Sequence, residues 1–460
     1  MKRIVIIGAG ISGLTLAHVL RRQGGSSVHV TLLESANRAG GVVRSERVDG
    51  YLCEYGPNGF LDRAPATLSL IDELGLRNRL LTSDDRARRR FIYSRGRLRA
   101  VPTGPLPFLT SDVVSARGRL RMALEPFLRG ASKPDESIHQ FTARRLGAEA
   151  ADVLVDAAIT GIYGGSSHDL SVRACFPRLW QMEHDHGSIV RAMFRRRRGA
   201  TPQSGGPGFG RLVSFADGID TLTGALAASV GDALKRNAGV AAIDRSGPDG
   251  QASWRVQLAD GDSITGDHLV VATGARAAGR MLAARDPELA TLLDGIPVAP
   301  IAAVCLGFDA TATDAALDGF GFLVPGQEQA KILGAVWDSS IFSNRAPSGH
   351  TLVRVLVGGG RNPNAVSLDH EALVANVLTD LRTMAGIRSR PVFVRVIRQV
   401  PGLPQYILGH VERLARIDTC LQRHGGLHLI GNSYRGLALN ACIENATTLA
   451  RELLSNAFRR

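Results

Sequence analysis

The first apolar run, Arg3–Gly8 (RIVIIG), has no polar alternation, the pattern of a short strand covered on both faces. Gly8-Ala9-Gly10-Ile11-Ser12-Gly13 interrupts it, and Leu14, Leu16, Ala17 and Leu20 then recur at helical spacing until Gly24-Gly25. Val28–Leu33 (VHVTLL) is a second buried run and ends in Glu34. Strand, glycine loop, helix and strand in that order predict a βαβ unit. Far downstream, Val240 falls on a short strand, Trp254–Leu258 alternates as a hairpin strand, and Asp260-Gly261 turns. His268–Ala272 (HLVVA) then runs into Thr273-Gly274 as a further buried strand. Leu427–Ile430 predicts a last strand, followed by the loop Gly431–Gly436. A helix is expected from near Leu437, its buried face marked by Ala438, Ala441, Cys442, Ala446, Leu449, Leu453 and Leu454.

Each glycine of the first loop has a separate physical task. Gly8 makes the tight turn, Gly10 lets a pyrophosphate approach the backbone, and Gly13 lets helix and strand pack closely. Ser12 lies among them. Glu34 stands about twenty residues on, where a carboxylate accepts hydrogen bonds from an adenosine ribose. Its negative charge disfavours a 2′-phosphate and therefore NADP. Arg38, Gly40 and Gly41 follow in the spacing E-x3-R-x-G-G, and Gly56-Pro57-Asn58 offers another close backbone approach. These extend the site beyond the phosphates and favour FAD over NAD. The glycine loop opening the last helix offers free N–H groups and a positive dipole end, suited to negative charge on a reduced flavin.

Composition narrows the class. The chain has 460 residues, 44% hydrophobic and 21% charged, which fits a globular protein of about two or three domains. No apolar run is long enough to span a bilayer. The five cysteines, Cys53, Cys175, Cys305, Cys420 and Cys442, are scattered and contain no C-x-x-C pair. No disulfide framework or metal site is expected, and a cytoplasmic location without export fits best. The net charge is +13 with only four lysines, so an arginine excess points to an anionic partner. Arg195–Arg198 and the Gly/Ser/Pro-rich stretch to Gly210 lack interleaved aromatics, which excludes a nucleic-acid patch and predicts a linker. Ala116–Gly130 mixes Arg117, Arg119, Arg121 and Arg129 with Leu120, Met122, Leu124, Phe127 and Leu128. This is a basic amphipathic stretch able to lie on an anionic leaflet, although Pro126 interrupts it. Pro102–Pro107 with Phe108 and Leu109 adds a candidate hydrophobic tip.

Taken together, GAGISGL (8–14), ESANRAGG (34–41), EYGPNGF (54–60), RRFIYSRGRLRAVPTG (89–104), DAAITGIYGGSSHDLSVRACFPRL (156–179), GFGFLVP (319–325), LPQYILGH (403–410) and GNSYRGLALNACI (431–443) carry a resemblance. The chain resembles the FAD-dependent protoporphyrinogen oxidases of the amine-oxidase-like flavoprotein superfamily. The resemblance implies an α/β fold with a discontinuous doubly wound FAD-binding domain built from residues 1–85, 207–285 and 418–460. It implies a mixed-sheet substrate domain from 86–105 and 286–417, and a mostly helical, membrane-associating insertion at 106–206. Non-covalent FAD would be held by Gly8, Gly10, Ser12, Gly13, Glu34, Arg38, Gly41, Gly56, Pro57, Asn58, Val240, Leu437, Ala438 and Leu439. A porphyrinogen cavity would be lined by Gly161, Phe320, Leu323 and Leu356, with Arg90 pairing a propionate.

The implied reaction is oxidation of protoporphyrinogen IX by successive two-electron steps, with O2 as acceptor and no assigned general base. Expected partners are the porphyrinogen, O2 and a peripheral membrane surface, with a homo-oligomer compatible with the pattern. This chain departs from some members at Asn58, where they carry an arginine, and at Val411, where they carry an aromatic. His139, His184 and His186 are expected on the surface of the helical segment. Coproporphyrinogen III is the alternative substrate. A flavin amine oxidase or carotenoid desaturase is less well matched, because four lysines and 5% aromatics offer little for a lysine-held water or an aromatic cage. A non-enzymatic dissociation-inhibitor-like regulator would need neither Glu34–Gly41 nor Gly431–Leu439.

Overall fold

The computed structural model describes residues 1–128, 133–199, 210–246, 253–311 and 317–455. The chain is an α/β protein with mixed sheets. Strands Lys2–Ile7, Val28–Leu33, Leu234–Lys235, His268–Val271 and Leu427–Leu429 form a five-stranded parallel sheet. Lys2–Ile7 lies between Val28–Leu33 and His268–Val271, so both its edges are paired. Both its faces are covered: Ile4 and Ile6 are buried in one core cluster and Val5 and Ile7 in another. Helices Ile11–Gly24 and Leu439–Ser455 pack together in the core on one face, with Leu14, Leu20, Ile443 and Ala450 between them. The hairpin strand Ser253–Leu258 alternates as expected, burying Trp254, Val256 and Leu258.

A second, seven-stranded sheet has the spatial order Phe393–Pro404, Val298–Asp309, His350–Gly358, Ile332–Val336, Gly321–Leu323, Arg90–Ser94 and Arg97–Ala100. Gly321–Leu323 runs parallel to Arg90–Ser94, and the other neighbours are antiparallel. One face packs on the helix His370–Ala385 through Phe322, Val355, Leu373 and Val377. The other face meets Tyr51 and Cys53 on one side and the helical segment on the other.

The amphipathic run is interrupted at Pro126, as its sequence implies: Ala116–Ala123 is followed by a short 3-10 turn, Glu125–Phe127. Pro126 lacks an amide proton, and the buried Glu125 carboxylate is drawn inward by Arg145, the Ser188 hydroxyl (2.7 Å) and the Ile189 and Val190 amides (3.0 and 3.2 Å). The last helix begins at Leu439 rather than near Leu437, with the Ala438 carbonyl accepting from the Cys442 amide. Pro105–Thr110 is a short helix. Gly130 and most of the Gly/Ser/Pro stretch up to Gly210 lie outside the described residues.

Candidate active site

The glycine loop has the geometry its sequence requires. Gly8 adopts φ 101°, and its amide donates to the Leu33 carbonyl at 2.7 Å. A Cβ on Gly13 would stand 1.9 Å from the Gly8 carbonyl oxygen, so only glycine allows the helix this close to the strand. A Cβ on Gly10 would meet no protein atom within 4 Å. The space beside Gly10 is open at the start of a helix whose first N–H groups have no intrahelical acceptor. Thr273 Oγ1, buried without a hydrogen-bond partner, belongs to the residue that flanks Gly8. An open cradle, a dipole end and an unpartnered hydroxyl fit the diphosphate of a dinucleotide.

Glu34 is half-buried and does more than its spacing foretold. One carboxylate oxygen accepts from the Ala9 amide (2.9 Å), and the other from the Ala36 amide (3.0 Å), so it also pins the glycine loop. The Glu34 carbonyl accepts from Ala238, which brings the strand Val240–Ser246 and half-buried Val240 to the same end of the sheet. Gly10 bridges Gly40, and Gly41 lies so near that its Cβ would be 3.3 Å from the Gly10 Cα. Arg38 shapes this second loop, donating to the carbonyls of Gly41 (3.1 Å) and Val43 (3.3 Å).

From here the path continues to the large sheet. A Cβ on Gly56 would meet the Val42 carbonyl at 2.5 Å, so the Gly56-Pro57-Asn58 turn lies directly against the Gly40–Val43 loop. Buried Arg354 donates to the Gly56 carbonyl (3.0 Å), and the Asn58 amide donates to Asp338 Oδ1 (2.9 Å). Arg354 Nε stands 3.2 Å from Asp338 Oδ2. Burial pushes the Asp338 carboxyl above its usual range, opposed by Arg354, Arg345 and the Asn58 hydrogen bond. Sequence reasoning missed Asp338 and Arg354. The signal available was Arg354 itself, a charge within the apolar strand His350–Gly358.

The slot residues are only partly gathered. Leu323 pairs with Gly334, and Gly334 with Leu356, so the two leucines lie in one row across three strands, separated by a residue with no side chain. Both are half-buried. Gly161, on the helix Asp156–Tyr163, faces that row: its Cβ would be 2.8 Å from Leu323 Cδ2. The buried Asp156 carboxylate fixes the helix, accepting from Ser167 Oγ (2.6 Å), the Gly326 amide (2.8 Å) and Arg361. Phe320 does not join the leucine row. It packs with Ala87, Ile341 and Phe342, because the positive φ angles of Gly319 and Gly321 kink the chain around it. Arg90 sits at the start of its strand with its guanidinium 4.9 Å above the Phe320 ring, exposed and without an ion-pair partner among the described residues. Leu437 packs beside Tyr163 and Tyr406, Ala438 is exposed, and Leu439 is buried, so this segment reaches the same helix as Gly161.

The model for flavin containing amine oxidoreductases matches residues 11–454. The chain belongs to this family. It is an FAD-dependent oxidoreductase, and the cradle beside Gly10 fits that cofactor. It is 32% identical to a chloroplastic protoporphyrinogen oxidase of Nicotiana tabacum, over 98% of this chain and 85% of that protein. It is 27% identical to the coproporphyrinogen III oxidase of Bacillus subtilis, over 99% of both chains. A crystal structure from Exiguobacterium sp. 255-15 superposes with a TM-score of 0.83 at 26% identity, covering 99% of each chain.

Proposed function

We propose that the chain oxidises protoporphyrinogen IX to protoporphyrin IX with O2 as acceptor. The observation that carries this reading is the half-buried leucine row Leu323–Leu356 on a sheet whose next strand begins with Arg90, opposite Gly321 and two positions before Ile92, the partner of Leu323. Arg90 is an exposed guanidinium that no carboxylate among the described residues neutralises. An apolar macrocycle with carboxylate arms needs both parts: aliphatic surface for the ring and a planar cation for a propionate. FAD held by these residues would supply the hydride acceptor, with O2 as the final oxidant. The residues of this chain orient and enclose. Gly10 and Gly41 admit the cofactor's phosphates, Gly13 lets the helix close on the Gly8 loop beside them, and Glu34 takes the ribose edge. Gly8, Ser12, Arg38, Pro57, Val240 and the Leu437–Leu439 backbone complete the cofactor's bed. Arg354 and Asp338 hold the Gly56–Asn58 turn, one of the segments that would contact the cofactor, in place. Gly161, where a Cβ would stand 2.8 Å from Leu323 Cδ2, lets the helix Asp156–Tyr163 close directly on that leucine, and the packed leucines exclude water from the reacting edge.

Coproporphyrinogen III is the second reading, favoured by the full-length match to the Bacillus subtilis enzyme of that name. Membrane attachment belongs to the same proposal. Leu120 (64% exposed), Leu124 (45%) and Phe127 (78%) project from the 116–127 segment, and no helix of the described residues is long and apolar enough to cross a bilayer. The test of function is a visible spectrum of the purified protein, followed by anaerobic protoporphyrinogen and then coproporphyrinogen. Bleaching of the flavin bands with recovery in air is expected for the true substrate. Flavin bands that neither porphyrinogen bleaches would overturn the proposal.

A further inference from the structure

We infer that His139, Asp152 and His168 form a binding site for a divalent first-row cation, Zn2+ above all, in the helical segment. His139 stands on the helix Ile138–Leu146, Asp152 in the π-helical turn Ala150–Val155, and His168 in the loop that follows the helix Asp156–Tyr163. One ligand atom from each lies within 4.8 Å of the others. His139 Nε2 and Asp152 Oδ1 are 2.7 Å apart, and the two imidazoles stack with centroids 3.8 Å apart and planes inclined by 23°.

The surrounding backbone holds the three together. The His139 amide donates to the Ser167 carbonyl (2.8 Å), and the His168 amide to Ser166 Oγ (3.1 Å). Ser137 caps the His139 helix through a reciprocal pair with Gln140 and bridges Ser171, tying the helix to the loop that carries His168. A π turn changes the helical register by about one residue, and it is within this turn that Asp152 meets His139.

The donor set selects the ion. Two imidazole nitrogens and one carboxylate suit Zn2+, Ni2+ or Cu2+, whereas Mg2+ and Ca2+ take oxygen ligands. Around tetrahedral Zn2+ with bonds of 2.0–2.1 Å the ligand atoms stand about 3.3 Å apart. His139 Nε2 and Asp152 Oδ1, hydrogen-bonded at 2.7 Å, would open to that distance as the ion replaces the shared proton, and the exposed His168 ring would turn out of the stack to bring a nitrogen to the ion. Water takes the fourth position. Because the ligands come from three successive elements, the ion fastens the two helices to the loop between Gly164 and Leu170. The site shares no residue with the cofactor loops or the leucine row, so it stands independently of the proposed reaction.

The experiment uses the FAD-loaded enzyme stripped with EDTA and titrated with Zn2+ alone by calorimetry in a non-chelating buffer. One saturable site is expected, weakened tenfold or more by His168→Ala and by Asp152→Asn, and unchanged by His29→Ala, which removes an exposed histidine elsewhere. His168 is exposed and Asp152→Asn is isosteric, so both variants should keep their flavin absorbance. Zn2+ should raise the melting temperature of the wild type but not of His168→Ala. Co2+ should give the wild type the intense visible bands of four-coordination and leave His168→Ala with the pale six-coordinate spectrum. Absence of saturable binding, equal binding by the His168 and Asp152 variants, or equal weakening by His29→Ala would overturn the assignment.

Discussion

Glu54 provides the sharpest quantitative test of the structure. It ends the strand Tyr51–Glu54 and is fully buried. Ser45 Oγ donates to one carboxylate oxygen at 2.6 Å, the Ile219 amide donates to the other at 3.0 Å, and Arg345 stands 3.8 Å away. Burial outweighs these partners and pushes the carboxyl from 4.5 up to about 7. The folded state therefore holds this proton more tightly than the unfolded chain does. Stability is lost as pH rises from the unfolded value through about 7, and the loss is complete above it. Glu54→Gln keeps the shape and removes the titration. Between about pH 5 and pH 8 the wild type should lose about 2.5 kcal/mol relative to the glutamine variant. At about 2.1 cal/mol/K per residue, a chain of 460 residues melts with an entropy near 1 kcal/mol/K, so the two melting temperatures should diverge by about 2–3 °C. Scanning calorimetry of both proteins across that range is the assay. Melting curves that stay parallel with pH, or a wild type that gains on the variant as pH rises, would refute the reasoning that burial governs this carboxyl.

Gly10→Ala and Gly13→Ala should separate cofactor binding from folding. Alanine at 10 meets no protein atom and suits φ −72°, so the apo melting temperature should hold while FAD affinity falls tenfold or more in a flavin titration. Alanine at 13 collides with the Gly8 carbonyl and should cost about 3 kcal/mol or more in denaturant unfolding. Arg90→Gln should leave the flavin spectrum intact and raise the KM for porphyrinogen roughly tenfold to a hundredfold, the worth of a charge-assisted hydrogen bond, as steady-state kinetics would show. Arg354→Met removes the partner of buried Asp338 and a donor to Gly56, and should destabilise by about 3–5 kcal/mol, read as a fall of about 3–5 °C in melting temperature.

These variants also divide what a sequence can and cannot display. The Gly8–Gly13 loop is legible because its geometry is settled among neighbours: a positive φ, an open approach and a close contact each demand glycine within six consecutive residues. The buried run before it and the helical spacing after it fix the element order by the same local logic. The Asp338–Asn58 pair is not legible that way. Asp338 opens a four-residue helix, Asp338–Ile341, where an aspartate is unremarkable, and its partner lies on a turn far back in the chain. Arg354 alone betrays the network, since a guanidinium inside an apolar strand must find buried acceptors, though which ones only the fold decides. The same reasoning explains Phe320. The family resemblance groups it with Leu323, yet Gly319 and Gly321 both take positive φ, and it packs with Ala87, Ile341 and Phe342 under the Arg90 guanidinium instead. The row itself depends on register: Leu323 and Leu356 share a face because Gly334 pairs with both, and a one-residue slip of that strand would send one leucine to the opposite face. Cofactor loops thus read locally, whereas the substrate surface is a property of strand pairing. A Gly334→Ala change would place a Cβ 2.5 Å from the Phe322 carbonyl oxygen at φ 157°. It is therefore expected to push apart the pairing that aligns the two leucines and suppress porphyrinogen turnover while the flavin spectrum, which depends on the other sheet, persists. Unchanged turnover with both porphyrinogens would show that the row does not line the substrate's path.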